Sequence, residues 1–260
     1  MLEHAIVGVD HSPATGRLYE ELGRLTRLGV ERATLVTVLG GPYPQAPQER
    51  HRDHYLARLQ ELADGLPGLT CDVQVRSGHP AAELRQTAAE TGADLIAAGS
   101  HGHTPWRDLF LGSTVLDLAR TSRVPILLLP LAAEMDGRGG GVVLATDGSA
   151  SAAAAEASAL RLGQQLGGCA VTVLRPGRDT DDEQARAWNH RRQLEPTLAP
   201  RVDHGSLPAT IGSVANEQAA DVIIVGSRGH TPLAGLLLGS TAEHLLRTAD
   251  RPVLLVPGER

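Results

Sequence analysis

Two glycine and hydroxyl motifs carry the clearest chemistry in this chain. Gly99-Ser-His-Gly102 leads to Gly112-Ser113-Thr114, and Gly226-Ser-Arg-Gly229 leads to Gly239-Ser240-Thr241, so both copies read G-x2-G-x9-G-S-T. Glycine lets main chain approach a ligand closely, and a Gly-Ser-Thr at a helix opening offers unpaired amides and hydroxyls. That combination holds an anion; it does not by itself break bonds. A carboxylate at the end of a short apolar run accompanies each copy, Asp10 after Ala5-Ile-Val-Gly-Val9 and Asp147 after Val142-Val-Leu-Ala-Thr146. Such an acceptor commonly serves as a helix cap or in a turn.

Other chemistry is poorly supported. All 24 basic residues are arginine, which removes a Walker-type lysine loop, a Schiff-base lysine and a lysine general base. Cys71 and Cys169 stand far apart and form no CxxC pair, which argues against a disulfide framework or a zinc site; each reads as a small buried hydrophobe. His51-x2-His54 shares one helical face, but it lacks a third ligand and sits among Glu49, Arg50, Arg52 and Asp53, the pattern of a solvated surface. No G-x-S-x-G elbow occurs. Trp106 and Phe110, replaced by Leu233 and Leu237 in the second copy, are spaced for packing on one face.

The elements that must position these residues come twice. The starts, the glycine motifs and the ends all correspond, the last as Arg123-Val-Pro-Ile-Leu-Leu-Leu-Pro130 and Arg251-Pro-Val-Leu-Leu-Val-Pro257. A period this long marks duplicated domains: residues 1–131, a glycine-dense linker over 132–141, and residues 142–260. In the first half, strands are expected at Ala5–Val9, Ala33–Leu39, Cys71–Val75, Leu95–Ala98 and Pro125–Leu129. Helices are expected at Pro13–Leu28, Gln48–Leu62, Ala81–Thr91 and Ser113–Thr121, with Ser12 capping the first and Pro13 opening it. In the second half, strands are expected at Val142–Thr146, Ala170–Leu174, Asp221–Val225 and Val253–Val256, with a weak one near Arg201–Asp203. Alternating β and α units with near-continuous apolar strands imply an α/β class: two tandem open-sheet domains, each a mostly parallel five-stranded sheet. Ligands of such sheets bind beyond the strands' carboxyl ends, where Gly99 and Gly226 lie.

Composition agrees with a globular chain: 260 residues, 42% hydrophobic and 21% charged. A net charge of -6 gives no basic footprint for nucleic acid. No apolar run reaches the length of a membrane span, and the first residues lack a basic leader, so a cytoplasmic location is expected.

Both halves resemble universal stress protein domains, whose nucleotide-binding members carry G-x2-G-x9-G-[S/T]. The resemblance includes Val9-Asp10-x-Ser12, Val75-x2-Gly78-x-Pro80 and Ser240-Thr-Ala-Glu-His-Leu-Leu-Arg-x3-Arg-Pro252-Val. It implies adenine nucleotide α-hydrolase-like, flavodoxin-like layering and an intramolecular pseudo-dimer paired through Val124–Leu129 and Pro252–Val256, with a homodimer left open. It also implies ATP, alone or with magnesium reached by Ser113 or Thr114. Asp10 and Asp147 would then meet the ribose or adenine end, and Val38 and Val173 the adenine edge through their main chain. Gly99, Gly102, Gly112, Ser113 and Thr114 would wrap the phosphates in one half, and Gly226, Gly229, Gly239, Ser240 and Thr241 in the other. His103 and His230 replace the arginine common in the family, which implies weaker or pH-sensitive binding. The expected role is nucleotide-dependent regulation of an unknown protein partner in a stress response, with at most slow hydrolysis. A scaffold acting by protein contact without nucleotide and a slow ATPase are the alternatives.

Overall fold

The computed structural model describes residues 2–13, 15–40, 51–100, 112–131, 139–147, 149–166, 170–174, 198–202, 207–227 and 238–258. The chain divides into two compact units, Met1–Leu131 and Ala132–Arg260.

In the first unit the order is β1 (His4–Gly8), α1 (Thr15–Leu22), a 3₁₀ stretch (Gly23–Leu28), β2 (Arg32–Leu39), α2 (Arg52–Asp64), β3 (Thr70–Ser77), α3 (Pro80–Thr91), β4 (Leu95–Gly99), α4 (Ser113–Thr121) and β5 (Ile126–Leu129). The strands lie in the spatial order β3-β2-β1-β4-β5, every neighbouring pair parallel. A parallel sheet covered on both faces needs strands without an exposed side, and β1, β4 and β5 are apolar and buried along nearly their whole length. At the edge, β3 reads Thr-Cys-Asp-Val-Gln-Val-Arg-Ser, alternates toward solvent and leaves the Cys71 thiol free and half-buried. Burial, with Asp72 nearby, pushes that thiol's pKa up.

The expected helix Pro13–Leu28 is shorter and divided. It begins at Thr15 and tightens into 3₁₀ at Gly23, a weak helix former. Gly92 closes α3 at φ +67, a left-handed terminus that glycine adopts without strain.

The second unit repeats the plan with β6 (Val142–Thr146), α5 (Ala153–Leu166), β7 (Ala170–Leu174), β8 (Leu198–Val202), α6 (Leu207–Glu217), β9 (Val222–Gly226), α7 (Ser240–Thr248) and β10 (Val253–Val256). Its strands run parallel in the order β8-β7-β6-β9-β10. One staple recurs. The Asp94 carboxylate accepts the amides of Glu3 and His4, and the Asp221 carboxylate accepts that of Gly141, so in each unit the residue preceding the fourth strand ties down the chain entering the first.

Candidate functional site

Strand order reverses between β1 and β4, so the loops leaving their carboxyl ends diverge and open a crevice. In the first unit this crevice is a cavity of about 330 Å³. Gly8, Val9 and Asp10 reach it from β1, Val36 and Val38 from β2, and Ala98, Gly99 and Ser100 from β4. Thr15 and Leu18 come from α1, Pro80 and Leu84 from α3, and Gly112, Ser113, Thr114 and Val115 from the start of α4, with Leu131 beyond β5. Of the sequence-predicted residues, Asp10, Val38, Gly99, Gly112, Ser113 and Thr114 therefore share one cavity.

Asp10 is fixed by its own turn. Its Oδ1 accepts the Ser12 amide at 3.0 Å, and Asp147 Oδ1 accepts the Ser149 amide at the same distance in the second unit. Beside this turn the Ser12 carbonyl accepts the Thr15 amide at 2.9 Å, and α1 begins at Thr15. Between them His11 sits at φ +54, a left-handed conformation unusual for a residue with a Cβ. Its Nε2 is 2.8 Å from Thr37 Oγ1, whose own proton goes to the Val9 carbonyl at 3.1 Å. The hydroxyl has one proton, so His11 Nε2 donates and neutral His11 is the Nε2–H tautomer. Burial lowers its pKa, Arg58 and His54 push the same way, and Asp10 opposes them. The ring also lies 4.9 Å from that of Tyr55 on α2.

At the β4 end, Gly99 packs closely against the Leu131 side chain, which would have to shift to admit a larger residue. A Cβ there would lie 2.4 Å from Leu131 Cδ1. The following Ser100 donates its amide to the Leu129 carbonyl at 2.8 Å and accepts the Leu131 amide on Oγ at 3.3 Å. Ser227 does the same with Val256 and Gly258 at 2.8 and 3.4 Å. These serines hold the strand ends in both units.

Gly112 is the N-cap of α4, in extended conformation, and among the described residues no side chain caps the helix. The first helical bond runs from the Leu116 amide to the Gly112 carbonyl at 3.1 Å, so the amides of Ser113, Thr114 and Val115 precede the ladder. The positive end of the helix and these donors meet at the cavity, together with the exposed Ser113 and half-buried Thr114.

The second unit has the same frame with different side chains. Gly226 ends β9, Gly239 caps α7 and donates to the Ser227 carbonyl at 3.0 Å, and Ser240 and Thr241 open the helix. Glu243, ion-paired to Arg247 at 2.8 Å, stands in its first turn where the first unit has Leu116. Fully buried Glu156 accepts from Thr146 Oγ1 at 2.8 Å, whereas the matching pair in the first unit is Val9 and Tyr19. Val173 lies on β7 opposite Ala145. Its side chain, with Gly102, Gly229, His101, His103, Arg228, His230, Trp106, Phe110, Leu233 and Leu237, lies outside the described residues. His51 is the N-cap of α2, and among the described residues no group of three His, Cys, Asp or Glu side chains is placed to hold a metal ion.

The sequence reading missed Thr15, Leu18, Leu84 and Leu131. Leu18 and Leu84 sit on helices whose apolar spacing signals only burial. Leu131 meets Gly99 through tertiary packing that no local pattern records.

The model of the universal stress protein family matches residues 1–130 and 141–257. A universal stress protein of Mycolicibacterium smegmatis is 24% identical over 288 residues, covering 96% of each chain. Universal stress protein MJ0577 of Methanocaldococcus jannaschii is 41% identical over 46 residues, 18% of this chain and 28% of that protein. The crystal structure of a universal stress protein from Archaeoglobus fulgidus superposes with a TM-score of 0.81, at 20% identity and covering 99% of both chains, which speaks to the fold.

Proposed function

The chain belongs to the universal stress protein family, and from that premise we propose that it binds ATP or another adenine nucleotide and acts as a nucleotide-dependent regulator of a protein partner in the cytoplasm. The observation that supports this is the meeting of Asp10, Val38, Gly99 and the open amides of α4 at one crevice. An apolar pocket with few convergent polar groups suits a purine and its sugar. At about 330 Å³ the cavity is near the small end of ligand pockets, which fits a buried nucleoside with phosphates lying at the mouth beside Ser113.

In this reading Val36, Val38, Leu18 and Leu84 exclude water around the base. Asp10 accepts from sugar hydroxyls, and the amides of Ser113 to Val115 stabilise the phosphate charge. The hydroxyls of Ser113 and Thr114 are hard oxygen donors of the kind magnesium prefers, and the ion would neutralise phosphate charge. Asp10 is the one carboxylate among the described residues lining the cavity, and it stands at the nucleoside end. Among the described residues no carboxylate lines the cavity beside Ser113 and Thr114, and in this reading occupancy, with at most slow turnover, carries the signal.

The purified chain should release adenine nucleotide on heating or, once stripped, gain thermal stability with millimolar ATP. Saturation at a hundredfold excess over Kd corresponds to about 2.7 kcal/mol. An empty protein with an unmoved melting point under those conditions leaves the protein-contact scaffold as the better account.

A further inference from the structure

Among the described residues of the first unit, a hydroxyl lining the cavity is left without a hydrogen-bond partner. Thr15 Oγ1 is buried and, among the described residues, has no hydrogen-bond partner, yet Thr15 lines the cavity. Its amide is engaged with the Ser12 carbonyl, so the orphan is the hydroxyl alone. A buried hydroxyl without a partner is a standing cost, and native proteins rarely keep one without a purpose. Position says which ligand group it meets. The cavity is lined on one hand by the opening of α4, which suits an anion, and on the other by residues of β1, β2 and α1. Thr15 belongs to the latter, five residues after Asp10.

The two side chains there are chemically complementary. Asp10 accepts only, and its Oδ1 already takes the Ser12 amide. A threonine hydroxyl can donate as well as accept. Adjacent hydroxyls of a ribose need that pair: one donates to a carboxylate while its neighbour accepts. The second unit keeps the aspartate turn at Asp147 and Ser149 but has buried Ala152 where the first has Thr15.

We propose that Thr15 makes the first unit selective for ribonucleotides over 2′-deoxyribonucleotides, and that the second unit, with Ala152, lacks this discrimination. The proposal rests on the nucleotide-binding reading above and adds the group the site reads.

The test compares ATP with 2′-deoxy-ATP by calorimetric titration of the full chain carrying Asp147→Ala, which silences the second unit. In that background the Thr15 chain should prefer ATP by roughly tenfold. Thr15→Val, close in shape without the hydroxyl, should bring both nucleotides to a similar, weaker affinity. Thr15→Ser should restore the preference. Removing an unpaired buried hydroxyl should also leave the nucleotide-free melting point unchanged or higher, which a structural role for the hydroxyl would not do. An unchanged ATP preference in Thr15→Val overturns the proposal, as does equal loss of both nucleotides together with a lowered melting point. Failure of the wild-type chain to bind ATP at all overturns the underlying reading, and this one with it.

Discussion

Replacing Gly99 by alanine should injure the first unit from within, and the size of the injury can be worked from the packing. The added methyl would sit 2.4 Å from Leu131 Cδ1, where unstrained carbon contacts lie at about 3.5–4.0 Å. Leu131 must therefore retreat by roughly 1–1.5 Å. It is 7% exposed, and its backbone is held by Ser100, so its open direction is the cavity it already lines. Overpacking of this kind costs about 1–3 kcal/mol. For a unit of this size that is a fall in melting temperature on the order of 3–15 °C, read by calorimetry. The displaced leucine also occupies ligand space, so the ATP-induced rise in melting temperature should shrink in the same variant. Gly112→Ala is the matched control: among the described residues nothing lies within 4 Å of the added methyl, and the extended backbone tolerates alanine. Its nucleotide-free stability should change by less than about 1 kcal/mol, while ATP affinity falls because the methyl stands beside the phosphates. Equal melting points for Gly99→Ala and wild type, with a full ATP response, would refute the assignment of Gly99 to close packing.

Acid should loosen the first unit through two histidines. Burial lowers the pKa of His4, with Arg32 adding to the effect against Asp94 and Asp72, and burial likewise lowers that of His11. Arg32 donates to His4 Nδ1 at 2.9 Å, so Nε2 carries the proton toward Thr34 and the ring is neutral. A base with a depressed folded pKa contributes stability that is present above its ordinary pKa of about 6.5 and lost as pH falls below it. Melting temperature should therefore drop from pH 7 to pH 5, and the double variant His4→Gln, His11→Gln should flatten that slope; an unaltered slope rejects the assignment. In the second unit, Thr146→Val removes a hydrogen bond to buried Glu156, and chemical denaturation should show a loss of about 1.5–3 kcal/mol. Exposed Glu90, whose pKa is lowered by Arg76 and Gln86, should matter far less, and Glu90→Gln should leave the denaturation midpoint nearly unmoved.

What could be read in the sequence was what repeats locally. The opening of α4 at Ser113, the bounds of β6, β7 and β10, and the shared Asp and Gly-Ser-Thr positions follow from apolar runs and helix-start chemistry. β3 and β8 were harder. β3 extends to Ser77 because its ladder with β2 carries polar residues that no apolar run marks, and β8 contains Pro200 beside Arg201. The contact of Gly99 with Leu131 and the orphan hydroxyl of Thr15 were invisible. Both depend on where distant segments meet, and Thr15 also depends on where α1 begins, beside the turn at Asp10.

Hydrogen–deuterium exchange of the intact chain, with and without millimolar ATP, tests the central claim most directly. Bound phosphates should slow exchange at the amides of Ser113, Thr114 and Val115, and wherever the second unit also fills, at Ser240, Thr241 and Ala242. Exchange at both helix openings that is identical with and without the nucleotide would contradict the account.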